Sequence, residues 1–313
     1  MTAPVAVVNP KAAGGATGRQ WPRLAKLIGT TLGQFTPVFT ARRGDGITLA
    51  RQAIEDGAEL VVSVGGDGTH NEVLNGLFDA EGLRNPRARM AVVPAGTGGD
   101  LRRSLGLSEK QREVTEGLGS GPRCIDVGRL EFTADDGAPG TRFFLNVSSC
   151  GVSGKVVEVV NSSGKWLGGK LSFAIGSARA LAGYRDQPIR LRLDGGPPRD
   201  LSITALAVAN GQYFGGGMRV APAAEMDDGV FDVTIWKGFT LADFVLKSAS
   251  LYSGSHLSLP GVESHRARRV EADSPEVVLI DLDGERPGRL PAVWQVLPAA
   301  LWLQGAGSGR VSV

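Results

Sequence analysis

Apolar residues in the first third of the chain come in short runs, separated by stretches where they recur every three or four positions. Val5 to Val8, Phe35 to Thr40, Leu60 to Val64 and Met90 to Pro94 are runs of strand length with little polar alternation. Such runs suit strands covered on both faces. Between them, Trp21 to Leu32 puts Leu24, Leu27 and Ile28 on one helical face, and Ile47 to Asp56 is closed by Gly57. Val73, Leu74, Leu77 and Phe78 again fall at helical spacing. Strand–helix alternation predicts a parallel sheet with helices on both faces. Residues 1–125 therefore read as an α/β, Rossmann-like domain.

From residue 126 the texture changes. Ile189, Leu191 and Leu193 alternate with Arg190 and Arg192, and Phe231, Val233 and Ile235 alternate with Asp232 and Thr234. Turn signals punctuate the runs at Asp194-Gly195-Gly196, Gly215-Gly216-Gly217, Asp228-Gly229 and Asp283-Gly284. Alternation bounded by turns predicts antiparallel strands, here a β-sandwich over 126–313 whose last residues pack back on the first domain. Helices are expected around Lys170–Ala182 and Leu241–Tyr252. No Ser/Pro-rich linker separates the halves, so close packing around a cleft is expected.

Composition narrows the class. Of 313 residues, 42% are hydrophobic and 21% charged, which excludes a disordered chain, and the 45 glycines follow no collagen-like period. Lys and Arg number 34 against 32 acids, a net charge of +2 that gives no support to nucleic-acid binding. Cys124 and Cys150 stand outside any metal-ligating spacing, which fits a reduced, cytoplasmic compartment. The opening residues lack the pattern of a signal peptide, and no apolar run reaches the ~18–20 residues of a spanning helix. Any membrane contact is expected to be peripheral.

Three strands of the first domain end in polar or glycine-rich loops: after Val8, after Val64 and after Val93. Ligands of open parallel sheets bind beyond the carboxyl ends of the strands. Main-chain amides there can surround a polyphosphate without a basic excess, provided no Cβ holds the phosphate away. Gly65-Gly66-Asp67-Gly68-Thr69 alone would be an ordinary turn with a capping Thr. Gly96-Thr97-Gly98-Gly99-Asp100 at the same level of the next strand makes a phosphate cradle the better reading. Hard carboxylate oxygens at Asp67 and Asp100 suit a Mg²⁺–nucleotide.

Other motifs fail. Gly164 to Lys170 fits a P-loop except that Leu171 replaces the hydroxyl residue. The three histidines lack paired ligand spacing, and there is no GxSxG elbow. Arg219 could meet a phosphate or simply pair locally. Leu171, Phe173, Ile175, Phe214 and Met218 could line an acyl pocket or be ordinary core.

Several ordered motifs resemble the diacylglycerol kinase catalytic family, which includes bacterial lipid kinases and the sphingosine and ceramide kinases. They are Asn9-Pro10 with its small-residue loop, Gly65 to Thr69 followed by Asn71-Glu72, and Pro94-Ala95-Gly96-Thr97 with Asp100. The likeness continues through Phe144-Leu145-Asn146, Asn210 to Gly217, Ala221-Pro222 with Ala224 and Asp227-Asp228-Gly229, and Asp283-Gly284-Glu285. The resemblance implies a nucleotide-binding domain of the NAD-kinase and diacylglycerol-kinase type, joined to a β-sandwich lipid domain. It implies transfer of the ATP γ-phosphoryl group to a hydroxyl of a membrane-derived lipid such as diacylglycerol or a sphingoid base.

Carried over by position, ATP would contact Asn9, Pro10, Lys11, Ala12, Ala13, Thr40, Gly66, Asp67, Gly68, Thr69, His70, Asn71, Glu72, Gly96, Thr97 and Asp100. Asp67, Asp283 and Glu285 would be catalytic, with Asp283 or Glu285 as the base. Asp228, with main-chain oxygens of Glu225 and Val230, matches a structural Mg²⁺ site. Gly99 stands where the family usually has Asn, and Ala12-Ala13-Gly14 replaces the usual Ser-Gly. A homodimer is compatible with the resemblance. The choice of lipid stays open, as do a soluble acceptor such as NAD and a non-catalytic lipid carrier.

Overall fold

The computed structural model describes residues 2–156 and 184–305. The helix expected over Lys170–Ala182, the Gly164–Lys170 run, and Leu171, Phe173 and Ile175 lie outside the described residues. The chain divides into two units, one of residues 2–127 with 299–305, the other of 128–156 with 184–298. The division falls between 127 and 128 rather than at 125. Trp302–Gln304 pair in parallel with Arg89–Ala91, which brings the end of the last strand to the first unit.

In the first unit the apolar runs become β1 (Val5–Val8), β2 (Thr36–Phe39), β3 (Leu60–Gly65) and β4 (Arg89–Pro94), all parallel in the order β4-β3-β1-β2. Ala6, Val8, Val62, Val64, Ala91 and Val93 face α1 (Ala16–Leu32), meeting Leu24 and Ile28. The helix starts ahead of Trp21, since Ala16 to Gln20 continue its turns. Residues on the other face, among them Val7, Val61 and Met90, are fully buried where α2 (Asp45–Glu55) and α3 (Asp67–Leu77) pack. Burial on both faces explains the unbroken runs.

α2 and α3 approach closely at Gly76, where a Cβ would lie 2.5 Å from Ile47 O and 2.7 Å from Ala50 Cβ. Gly76→Ala should therefore force the helices apart. The expected cost is about 1–3 kcal/mol, read as a lower denaturant midpoint with an unchanged slope.

The second unit is antiparallel. One sheet joins β5 (Arg123–Thr133) to β6 (Pro139–Phe144), and β8 (Gln187–Leu193) to β9 (Arg199–Ile203) and β13 (Arg269–Asp273). Ala292 to Gln295 of β15 (Arg289–Gln304) pair with β13. The other sheet runs β12 (Val262–Ala267), β11 (Phe231–Trp236), β10 (Ala205–Ala209), β7 (Val147–Gly151), β14 (Ile280–Leu282). The cluster of Phe144, Phe231, Val233, Leu206 and Trp294 lies between the sheets.

β8 keeps its alternation, but β11 is buried throughout, Asp232 and Thr234 included. A second cluster around Val220, Ala221 and Trp236 covers its outer face. Thr234 is satisfied there by donating to Val220 O at 3.0 Å. Met218 belongs to that core and Phe214 packs against it. A helix of this unit, α4 (Leu241–Ser253), opens with a capping box between Thr240 and Asp243. Among the described residues no helix is long and apolar enough to cross a membrane.

Candidate active site

The loops after β1, β3 and β4 are tied together by polar groups of their own. Asn9 Nδ2 donates to Thr69 Oγ1 at 3.0 Å, and Asn9 Oδ1 accepts the Lys11 N–H at 3.0 Å. Thr17 Oγ1 donates to Ala95 O at 2.7 Å, joining the start of α1 to the third loop. Lys11 reaches away to Ala41 O at 2.7 Å, beside Thr40. Ala13 and Gly14 take positive φ, which a glycine tolerates and an alanine rarely does.

The two glycine loops meet main chain to main chain. Ala95 N–H donates to Gly65 O at 2.6 Å, and a Cβ on Gly96 would overlap Gly66 Cα. A Cβ on Gly98 would lie 2.6 Å from Asp67 Oδ2. That carboxylate is held by the next loop: Oδ2 accepts the Asp100 N–H at 3.2 Å and Oδ1 the Leu101 N–H at 3.4 Å. Asp67, Gly66, His70, Gly96, Thr97 and Gly98 line a cavity of about 250 Å³. Asp100 is itself buried, in an ion pair with Arg103 at 2.9 Å.

His70 lies 1% exposed under this cavity, its Nδ1 2.7 Å from Ser63 Oγ. Burial pushes the imidazole down to about 4, with Asp67 opposing. The neutral ring is thus the native form, while the unfolded chain protonates near 6.5. Stability from His70 is complete above pH ~6.5 and is lost as pH falls toward ~4. His70→Gln should remove that part of the acid-side fall in melting temperature, up to about 3 kcal/mol, as a pH series of thermal melts would read.

Asn71 and Glu72 turn elsewhere. Asn71 Oδ1 accepts from Asn75 Nδ2 at 3.1 Å. Glu72 accepts the Gly44 N–H at 2.8 Å and the Gly46 N–H at 3.0 Å, so it caps α2. Of the expected nucleotide set, Gly66, Asp67, His70, Gly96 and Thr97 line the cavity; Asn9 and Thr69 are bonded to each other beside it, while Glu72 serves a helix end and Lys11 a neighbouring carbonyl.

In the second unit, Asp283 and Gly284 form the tip of a tight hairpin. Leu282 and Glu285 exchange main-chain hydrogen bonds of 2.8 and 2.9 Å, and both tip residues have positive φ (48° and 85°). This is the geometry that favours Asp-Gly. Asp283 Oδ1 accepts the Val147 N–H at 3.0 Å, and its own N–H donates to Val147 O at 3.0 Å. The side chain is thereby fixed to β7.

Glu225, Asp228 and Val230 lie in the same unit. Asp228 Oδ1 accepts the Val230 N–H at 3.2 Å, and its other oxygen pairs with Arg266. Asp232 stands nearby, 5% exposed, with Oδ2 lacking a hydrogen-bond partner. Burial pushes its carboxyl up to about 6, Arg266 opposing and Asp228 and Glu225 adding to the rise. Among the described residues no group of three or more His, Cys, Asp or Glu could hold a metal. Arg219 pairs locally, with Gln212 Oε1 at 2.9 Å and Pro222 O at 3.3 Å.

Residues 4–130 match the model of the diacylglycerol kinase catalytic domain, and 146–305 match that of the YegS C-terminal NAD kinase beta sandwich-like domain. The chain belongs to the diacylglycerol kinase catalytic family. Membership makes it a lipid kinase that uses ATP. A protein of Chromohalobacter salexigens named "Probable lipid kinase YegS-like" is 31% identical over 243 residues, covering 77% of this chain and 74% of that one. The diacylglycerol kinase of Bacillus subtilis is 28% identical over 254 residues, covering 80% and 79%. A crystal structure of a diacylglycerol kinase from Bacillus anthracis shares the fold, with a TM-score of 0.71, 20% identity and 96% of each chain covered. An NAD kinase from Archaeoglobus fulgidus shares it more distantly, with a TM-score of 0.52, 13% identity and 96% and 92% covered.

Two groups of this lipid kinase escape sequence reasoning. Arg102 and Arg103 line the cavity, Arg103 donating to Gly98 O at 2.8 Å and Arg102 pairing with Glu109 at 2.7 Å. The signal was an Arg pair one turn beyond the last glycine. Ser63 was legible only as a lone polar residue in an apolar run.

Proposed function

We propose that the glycine loops hold the triphosphate of ATP and that Asp283 takes the proton of the attacking lipid hydroxyl as the γ-phosphoryl group is transferred. Phosphoryl transfer depends on alignment and charge stabilisation more than on covalent chemistry. The contact between Gly66 and Gly96 carries the reading: two glycine-rich loops meet main chain to main chain beside a cavity, with Asp67 locking one to the other. The partial positive charge at the start of α3 favours a phosphate there.

Within this scheme Asp67 and Asp100 steady the Mg²⁺–nucleotide, and Asp283 is the base because its carboxylate is fixed to β7. The acceptor is a hydroxyl beside an apolar tail, as in diacylglycerol or a sphingoid base. Peripheral contact with the bilayer is part of the proposal, because the acceptor is drawn from a membrane. Labelled ATP and a membrane-lipid extract should yield a labelled phospholipid with the wild type and none with Asp67→Ala or Asp283→Asn. Labelling of NAD in place of lipid would overturn the assignment.

A structural Mg²⁺ would be held by one carboxylate, Asp228, and the main-chain oxygens of Glu225 and Val230, an oxygen-only donor set that suits the ion, with the unpartnered Asp232 Oδ2 in the same region. Its chemistry would be to neutralise the negative charge of Asp228 beside the buried Asp232. Arg266 shares that task, so ion and guanidinium compete for Asp228. Mg²⁺ should raise the melting temperature of Arg266→Ala more than that of the wild type. No Mg²⁺ effect in either protein would remove the ion from this site.

A further inference from the structure

Beneath the Asp283-Gly284 tip lies a third acid that the proposed chemistry does not use. Asp281 on β14 is 2% exposed, and its Oδ1 accepts the Gly284 N–H at 2.9 Å. Ser149, its partner across β7, places Oγ 3.4 Å from Oδ2. The Asp281 carbonyl accepts from Ser148 Oγ at 3.0 Å, and that hydroxyl in turn accepts the Trp294 indole N–H at 2.8 Å. The strand leading into the tip is thus held at main chain and side chain alike. At the tip, Asp283 has a φ of 48°, the left-handed conformation that this two-residue hairpin requires and Asp tolerates.

We propose that Asp281 is a positioning residue of the acidic turn, its buried carboxyl pinning Gly284 from below and so fixing where Asp283 and Glu285 present their carboxylates. The inference rests on the turn being the acidic motif of the reaction. Either form accepts the Gly284 N–H, but only the neutral acid does so without adding charge beneath the turn. The charged groups acting on Asp281 are Asp283 and Glu285, both of like sign, while β7 offers the hydroxyls of Ser148 and Ser149 and the buried thiol of Cys150. Burial above all pushes the carboxyl up to about 8; the Gly284 N–H opposes, Asp283 adds, Ser149 opposes and Glu285 adds. Ionisation would put a third negative charge under the other two, in a place water does not reach. Because the folded value lies above the unfolded one, the chain takes up a proton here on folding. Stability is therefore lost as pH rises from about 4 to about 8.

The test compares the full chain with Asp281→Asn, which keeps the acceptor for Gly284 and cannot ionise, and with Asp281→Ala, which removes it. Activity and melting temperature are followed across pH. Asp281→Asn should hold its kcat near neutral pH, move the alkaline fall of kcat to higher pH, and flatten the decline of melting temperature toward pH 8. Asp281→Ala should lower kcat between about tenfold and a hundredfold at every pH, with KM for ATP unchanged. Superimposable pH profiles and melting slopes for wild type and Asp281→Asn would overturn the proposal. So would an Asp281→Ala variant with wild-type kcat. Asp283→Asn and Glu285→Gln, run alongside, separate the two claims. If both keep full activity the turn's chemistry fails, while the melting slope of Asp281→Asn still reports the buried acid.

Discussion

Gly96→Ala should cost at least about a hundredfold in kcat/KM for ATP, the scale of a small displacement among reacting groups. A Cβ at this position would overlap Gly66 Cα, which is main chain and cannot rotate away. The loops after β3 and β4 would have to separate, and the Ala95-to-Gly65 and Asp100-to-Asp67 hydrogen bonds stretch with them. The loss should fall mainly on nucleotide affinity, read by calorimetric titration with ATP, while circular dichroism stays native. Gly121→Ala is the control. Its Cβ would meet nothing within 4 Å, so wild-type binding is expected.

Asp283→Asn should lower kcat by about 10²–10⁴-fold, the usual contribution of a general base, with KM for ATP unchanged. The substitution is sharp because the amide oxygen can still accept the Val147 N–H, so the hairpin survives and only proton acceptance is lost. Steady-state kinetics on a lipid acceptor reads both parameters. Glu285→Gln should cost less, since that residue closes the hairpin through its main chain. A fall confined to KM would assign Asp283 to substrate binding instead.

The first unit was largely legible in the sequence because backbone demands leave marks on residue choice. Strands buried on both faces must be apolar throughout, and amides that are to meet a phosphate must lack a Cβ beside them. Hence β1 to β4 and the loops at Gly66 and Gly96 could be read directly. Glu72 could not be placed in this way. Its role as the cap of α2 depends on α3 passing the start of α2, a tertiary fact with no local signature. Asp232 misled for a similar reason: alternation in β11 implied a wet face, yet the cluster around Val220 covers it. Asp281 was hidden most completely. It stands in an apolar run two residues before Asp283, and only burial beneath the tip distinguishes it.

A crystal structure with a non-hydrolysable ATP analogue tests the central claim most directly. The account predicts the β- and γ-phosphates against the main-chain amides of Gly66 to Thr69 and of Gly96 to Gly98, with Asp67 still bonded to the Asp100 N–H. A triphosphate bound away from these two loops would contradict it.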